Sequence, residues 1–217
     1  MLKPIIFIHC GNQDEKYIPI MAEYFEAIKK SSYENKIDII VCCVGIKRAN
    51  EFWFKEEYYC DNFKEGEFFT LKKLKTFCNN SKFNTPVAYI NTKGTFSGFD
   101  NPCISDWRKY MTYFILEKME TCINFIEQGF DAVGVDWSTK PNNHFSGNFW
   151  WASSNYIKSL PPVDPDNVFI NNLPTQRHFA EFWIGYNSPT IKCLHNSNID
   201  VYSRHLHRYY KENYATE

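Results

Sequence analysis

Four short apolar runs, each cut off by glycine or polar residues and separated by stretches of helical spacing, constrain this chain more than any other feature. They are Pro4–His9 (PIIFIH), Ile37–Val44 (IDIIVCCV), Val87–Asn91 (VAYIN) and Ala132–Trp137 (AVGVDW). Runs this short and this continuously apolar read as strands buried on both faces. Between them, Tyr17–Lys30 carries Ile18, Met21, Ala22, Phe25 and Ile28 at helical intervals, and Glu67–Cys78 carries Phe68, Leu71, Leu74 and Phe77. Ser105-Asp106 opens the longest helix, expected to run to about Gln128 with Gly129 as its stop. A fifth strand includes Asn148–Ala152, a helix follows from about Ser153 to Leu160, and Pro161 to Pro165 form a stiff linker. Phe179–Ile184 reads as helical, and the chain from Ser197 on is polar and aromatic. Strands alternating with helices predict an α/β fold: a mainly parallel central sheet flanked by helices, in one compact domain. In open sheets of this kind a ligand sits at the carboxyl ends of the strands. Those ends read His9-Cys10-Gly11-Asn12, Gly45, Asn91-Thr92-Lys93-Gly94 and Asp136-Trp137.

Composition removes several classes of function. The 217 residues hold 24 Lys+Arg against 25 Asp+Glu, a net charge of -1, so no bulk basic field is available for nucleic acid or an anionic membrane. No window approaches the roughly 18 apolar residues of a spanning helix. The first apolar run is too short for a signal peptide, and the expected location is cytoplasmic. The eight cysteines form no C-x-x-C pair and read as reduced, mostly buried residues, with no zinc site. Neither G-x-G-x-x-G nor G-x-x-x-x-G-K-[ST] occurs, which removes the main support for dinucleotide and P-loop binding.

An ordered series of blocks carries more specific information. It comprises Tyr89-Ile90-Asn91-Thr92-Lys93-Gly94, Asp106-Trp107-Arg108 with Tyr110-Met111, Ser146-Gly147-Asn148-Phe149-Trp150-Trp151-Ala152 and Ala180-Glu181-Phe182-Trp183-Ile184. The series resembles small GT-A-type glycosyltransferases of bacteria and large DNA viruses, whose strand reads Y-[LI]-[HN]-T-K-G and whose later block reads SGNFWWA. The resemblance spans about residues 67–196. It implies a GT-A-like (Rossmann-like) fold, with a nucleotide-sugar-binding half over about 1–137 and an acceptor-binding half over about 138–217. It also implies hexosyl or related glycosyl transfer from a nucleotide-diphosphate sugar of UDP, GDP or TDP type to a glycan or lipid-linked acceptor, in glycan biosynthesis, and a host-cytoplasmic setting if the chain is viral. Typical GT-A enzymes place Asp-x-Asp at the strand end that here reads Asn91-Thr92-Lys93. Mg²⁺ and Mn²⁺ prefer carboxylate oxygens and an ammonium repels them, so the expectation is metal-independent chemistry with no cofactor; the transfer is expected to be inverting.

Breaking a sugar–diphosphate bond builds charge on the leaving phosphate, which a cation must stabilise. Lys93 beside Gly94 is the first candidate, and Arg204 and His205 in the tail are further ones; each also reads as a solvated basic residue. An acceptor hydroxyl needs a base. Glu181, set among aromatics, is the first choice and Asp136 at a strand end the second; capping or ion pairing is the alternative for both. His9 and Gly11 would line the nucleotide pocket with Asn91 and Thr92, and Gly147-Asn148 would lie beneath the donor sugar. Trp150 and Trp151 would stack on an acceptor, with at least one of them core. His195 would contact phosphate or lie on the surface. Two other readings stay open: a metal-dependent transferase in which Asp136 and His195 meet at Mn²⁺ or Mg²⁺, and a non-catalytic sugar- or nucleotide-binding module.

Overall fold

The apolar runs fold as strands of one seven-stranded sheet in the computed structural model, which describes residues 3–12, 15–45, 52–95, 99–164 and 176–200. In chain order the strands are β1 (Ile5–Asn12), β2 (Asp38–Gly45), β3 (Glu56–Cys60), β4 (Pro86–Asn91) and β5 (Ala132–Gly134). Next come β6 (Trp137–Ser138) and β7 (His144–Phe145), which pair only with each other, then β8 (Trp150–Ser153) and β9 (Ile191–Cys193). The sheet order is β3-β2-β1-β4-β8-β5-β9. β8 runs antiparallel to both neighbours while every other pairing is parallel, so the remaining strands share one direction. The architecture is therefore α/β with a mainly parallel central sheet flanked by helices.

The period of two along each strand divides the core between the two faces. Ile6, Ile8 and Cys10 of β1, with Ala88 and Ile90 of β4, pack against α1 (Tyr17–Lys30), α3 (Pro102–Thr112) and α4 (Met119–Glu127). Ile5 and Phe7, with Val87 and Tyr89, pack against α2 (Gly66–Asn80), α5 (Ser154–Ser159) and α6 (Gln176–Phe182). Each fully buried side chain of the size of Phe7 or Phe114 contributes about 1.5–3 kcal/mol. The alternation also assigns His9, two residues after Phe7, and Asn91, two after Tyr89, to the α2 side. All eight cysteines are free thiols. Among the described residues, no helix is long and apolar enough to cross a membrane.

Several elements depart from the sequence reading. The long helix starts earlier, at Pro102, because Asn101 caps it by accepting from the Cys103 N–H at 2.9 Å with proline in the first turn. It is then interrupted by a π-turn at Tyr113–Glu117, where the Lys118 N–H reaches back to the Tyr113 carbonyl. There the Ile115 carbonyl accepts from the Trp151 indole at 2.8 Å, so a tertiary contact feeds on the widened turn. The Ala132–Trp137 run is not one strand. It breaks after Gly134, and Asp136 takes a left-handed backbone (φ 49°) that turns the chain into β6. β3 and β9 have no counterpart in the sequence reading. They are short edge strands reading EEYYC and IKC, which lack an apolar run because one edge faces solvent.

Candidate functional site

The carboxyl ends of β1, β2 and β4 open into a cleft of about 800 Å³. His9 and Gly11 line it from β1, Val44 from β2, and Asn91 with Thr92, Lys93 and Gly94 from the end of β4. Glu67 enters from the first turn of α2, Gly147 from the loop before β8, and His178 and Glu181 from α6. Phe63 and Lys64 add an aromatic and an ammonium from the turn before α2.

The lysine-bearing turn is held by backbone and by an ion pair of a buried arginine with a half-buried glutamate. The Thr92 N–H donates to the His9 carbonyl (2.9 Å), and the Thr95 hydroxyl closes back on the Thr92 carbonyl (3.0 Å). Gly94 supplies the left-handed residue (φ 101°) that this tight return requires. Arg108 is 4% exposed and grips both oxygens of Glu23, at 2.9 and 3.0 Å, while donating to the Lys93 carbonyl at 3.1 Å. The Tyr24 hydroxyl donates to the Asn91 carbonyl at 2.7 Å. The Lys93 ammonium lies 3.7 Å from the centre of the Trp107 ring, so a cation–π contact orients it at the cleft.

The adjoining wall is the Gly147-Asn148 loop. The Asn91 amide donates to the Gly147 carbonyl at 3.2 Å. Gly147 has φ 87°, and a Cβ there would fall 2.4 Å from Met111 Sδ, so only glycine fits. Asn148 is buried: its Oδ1 accepts from the Trp150 indole at 2.8 Å, and its Nδ2 donates to Glu67 Oε2 at 2.8 Å and to the Ala180 carbonyl at 3.4 Å. Glu67 Oε2 also accepts from the Tyr89 hydroxyl at 2.7 Å. Burial, then the charge of Glu67, pushes the Tyr89 phenol well above the ordinary range, so it stays a donor. His9 shares a 2.9 Å hydrogen bond through Nδ1 with the Thr70 hydroxyl of α2. Burial lowers its pKa, with Glu67 pulling the other way, so the ring is neutral at pH 7.

Of the residues expected from sequence, His9, Gly11, Asn91, Thr92, Lys93, Gly94, Gly147 and Glu181 all line this one cleft. Asn148 stands directly behind it, bonded to Glu67. Trp150 and Trp151 do not line it. Both are completely buried on opposite faces of β8 with their indole N–H groups bonded inside the protein, so neither offers a ring to an acceptor and the stacking expectation is corrected. Asp136 also lies outside the lining: its carboxylate accepts from the backbone N–H and the hydroxyl of Ser197, an anchoring role. Arg204 and His205 fall outside the described residues.

Asp136 and His195 are neighbours, since the Asp136 N–H donates to the His195 carbonyl. However, both Asp136 oxygens are engaged by Ser197. His195 Nδ1 bonds the Tyr110 hydroxyl at 2.9 Å, and its ring stacks on Phe114. Burial lowers the His195 pKa against the opposing charge of Asp136. Among the described residues no group of three or more His, Cys, Asp or Glu gathers in a metal-binding arrangement. The pair does not fit the cation that the metal-dependent reading requires.

The sequence reading gives no site role to Glu67, His178 or the buttressing pair Glu23–Arg108, although Arg108 stands in one of the blocks that carry the resemblance. Glu67 carried a faint signal, an acid in the first turn of a helix that follows a buried strand, but an acid there is also ordinary helix-end chemistry.

No curated protein matches the sequence. Among solved structures, the 1.90 Å crystal structure of a protein from Desulfovibrio desulfuricans G20, provisionally named a nucleotide-diphospho-sugar transferase, is similar with a TM-score of 0.49 and 9% identity. That similarity covers 90% of this chain and 81% of that one. A family model described as a domain of unknown function, DUF8361, matches residues 5–180, and the chain belongs to that family.

Proposed function

We propose that the protein is a glycosyltransferase that moves a sugar from a nucleotide-diphosphate donor to a hydroxyl of a glycan or lipid-linked acceptor. The observation that carries this reading is the convergence of one oriented ammonium, Lys93, and two carboxylates, Glu67 and Glu181, in a single cleft at the strand ends. The T-K-G and SGNFWWA blocks, which resemble those of small GT-A-type transferases, supply its loops. In this reading the diphosphate lies against Lys93 and the backbone of Thr92 and Gly94, with the nucleoside toward His9, Gly11 and Val44. Lys93 takes up the charge that grows on the leaving diphosphate, as a fixed cation whose position needs no rearrangement during reaction. A carboxylate of the cleft takes the acceptor proton. The chemistry is independent of metal, because the cation is part of the chain, and inverting, because the acceptor oxygen displaces the diphosphate directly with a carboxylate as base.

Thermal unfolding in the presence of UDP, GDP and TDP tests the reading. A ligand at about 100 times its Kd adds about 2.7 kcal/mol of stability. One of the three is expected to raise Tm by several degrees, equally with EDTA and with Mn²⁺. Donor-sugar turnover that is abolished by EDTA would overturn the metal-independent part, and nucleotide binding without turnover of any donor would favour the binding module.

A further inference from the structure

Among the described residues two carboxylates line the cleft, Glu67 and Glu181, and the hydrogen bonds of Glu67 define how it is held. Both hydrogen bonds to Glu67 land on Oε2, from the Tyr89 hydroxyl at 2.7 Å and from Asn148 Nδ2 at 2.8 Å. Among the described residues Oε1 accepts none, and Glu67 lines the cleft. One oxygen is thus pinned and the other is left toward substrate, the arrangement a preorganised base requires. The donors are themselves fixed. An indole N–H can only donate, so Trp150 Nε1 forces Asn148 to present Oδ1 to it and leaves Nδ2 for Glu67. Tyr89 is fully buried and stacks on Trp150 at 5.4 Å between ring centres. The SGNFWWA block therefore holds a carboxylate that comes from a different part of the chain.

We propose that Glu67 is the base that deprotonates the acceptor hydroxyl, and that Trp150, Asn148 and Tyr89 are its positioning residues. This assignment rests on the glycosyl-transfer reading. In the step, the acceptor O–H proton passes to Glu67 Oε1 while the acceptor oxygen bonds to the anomeric carbon. The bond from that carbon to the diphosphate oxygen breaks, its electron pair leaving with the nucleoside diphosphate beside Lys93. Glu67 then returns its proton to solvent.

The test uses the full chain with UDP-glucose, GDP-mannose and TDP-glucose as donors, and with p-nitrophenyl glycosides or water as acceptors. Glu67→Gln keeps an oxygen for Tyr89 and Asn148 but cannot take a proton. It is expected to lower kcat at least 100-fold, to leave nucleoside diphosphate affinity within about twofold of wild type, and to lose the acidic limb of the kcat–pH profile. Glu181→Gln is expected to lower kcat by tenfold or less and to keep that limb. Tyr89→Phe is expected to lower kcat about tenfold with KM unchanged and with the wild-type stoichiometry of nucleoside diphosphate binding, which a loss of folded protein would reduce. If Glu67→Gln stays within threefold of wild-type kcat, or Glu181→Gln loses as much as Glu67→Gln together with the acidic limb, the assignment is overturned while glycosyl transfer stands. A wild-type chain that turns over none of the donors overturns both.

Discussion

Lys93 and His9 occupy the ends of adjacent parallel strands, and each makes a prediction at the scale of one side chain. Lys93→Met keeps an aliphatic stem on the Trp107 ring and removes only the charge. A charge-assisted phosphate contact is worth about 1.5–3 kcal/mol, so nucleoside diphosphate affinity should fall about 10- to 100-fold. Raising salt should weaken wild-type binding more than that of the variant; calorimetric titration at two ionic strengths reads both. His9 links stability to pH. Its folded pKa lies below the 6.5 of an unperturbed histidine because burial outweighs the pull of Glu67. Between the two values the unfolded chain binds more protons, so stability is lost as pH falls through about 6.5 and continues to fall down to the folded pKa. Urea midpoints measured from pH 7.5 to 5.5 should drop for wild type and drop less for His9→Gln; equal slopes would remove His9 from the account. Lys93 and Asn91 were legible in the sequence because glycine and a cation directly follow a buried strand. Glu67 was not, because its meaning depends on Tyr89 and Asn148, which lie 22 and 81 residues away. Trp150 was misjudged for the same reason: a strand aromatic reads alike whether its indole faces a ligand or a buried amide.

At the scale of elements, α2 carries the site and is itself tied down by an unusual cap. The Lys75 ammonium donates to the carbonyls of Ile157, Lys158 and Leu160, at 3.0, 3.3 and 2.8 Å, and so closes the C-terminal end of α5 from the side of another helix. Lys75→Met would leave those carbonyls without this partner. The expected loss is about 1–3 kcal/mol in the urea-derived stability, with little change in kcat because Lys75 does not line the cleft. Helix α1 has the bounds its spacing predicts, Tyr17–Lys30, since that spacing is local information, but its buried face is Tyr17, Ile20, Met21, Tyr24, Ala27 and Ile28, which leaves Ile18, Ala22 and Phe25 only partly buried. The π-turn at Tyr113–Glu117 is different: the stripe through Phe114 and Ile115 reads as uninterrupted helix, and only the indole of Trp151 on another strand marks where the turn widens. Edge strands β3 and β9 escape pattern reading because a strand paired on one side needs no continuous apolar run.

Across the whole molecule, the sheet order interleaves the early and late parts of the chain. β8 lies between β4 and β5, and the sheet partners of β5 are β8 and β9, both beyond residue 137. A fragment of residues 1–137 therefore leaves β5 without a strand beside it and uncovers the Val87 and Tyr89 face. The full chain should unfold in a single urea transition followed by circular dichroism, and the fragment should show none; a cooperative transition in the fragment would establish an autonomous nucleotide-binding half. The sequence by itself determined the alternation of buried strands with amphipathic helices and the polar strand ends at which a ligand would sit, because apolar period and chain-breaking residues act over a few neighbours. Only the tertiary structure decided that β8 reverses direction, that Trp150 and Trp151 belong to the core, and that Glu67 faces the same cleft as Lys93. Those outcomes depend on which distant segments share a face of the sheet, and a hydrogen bond from Asn148 to Glu67 comes into being only when β8 has paired with β4 and α2 has packed on the face that carries Tyr89 and Trp150.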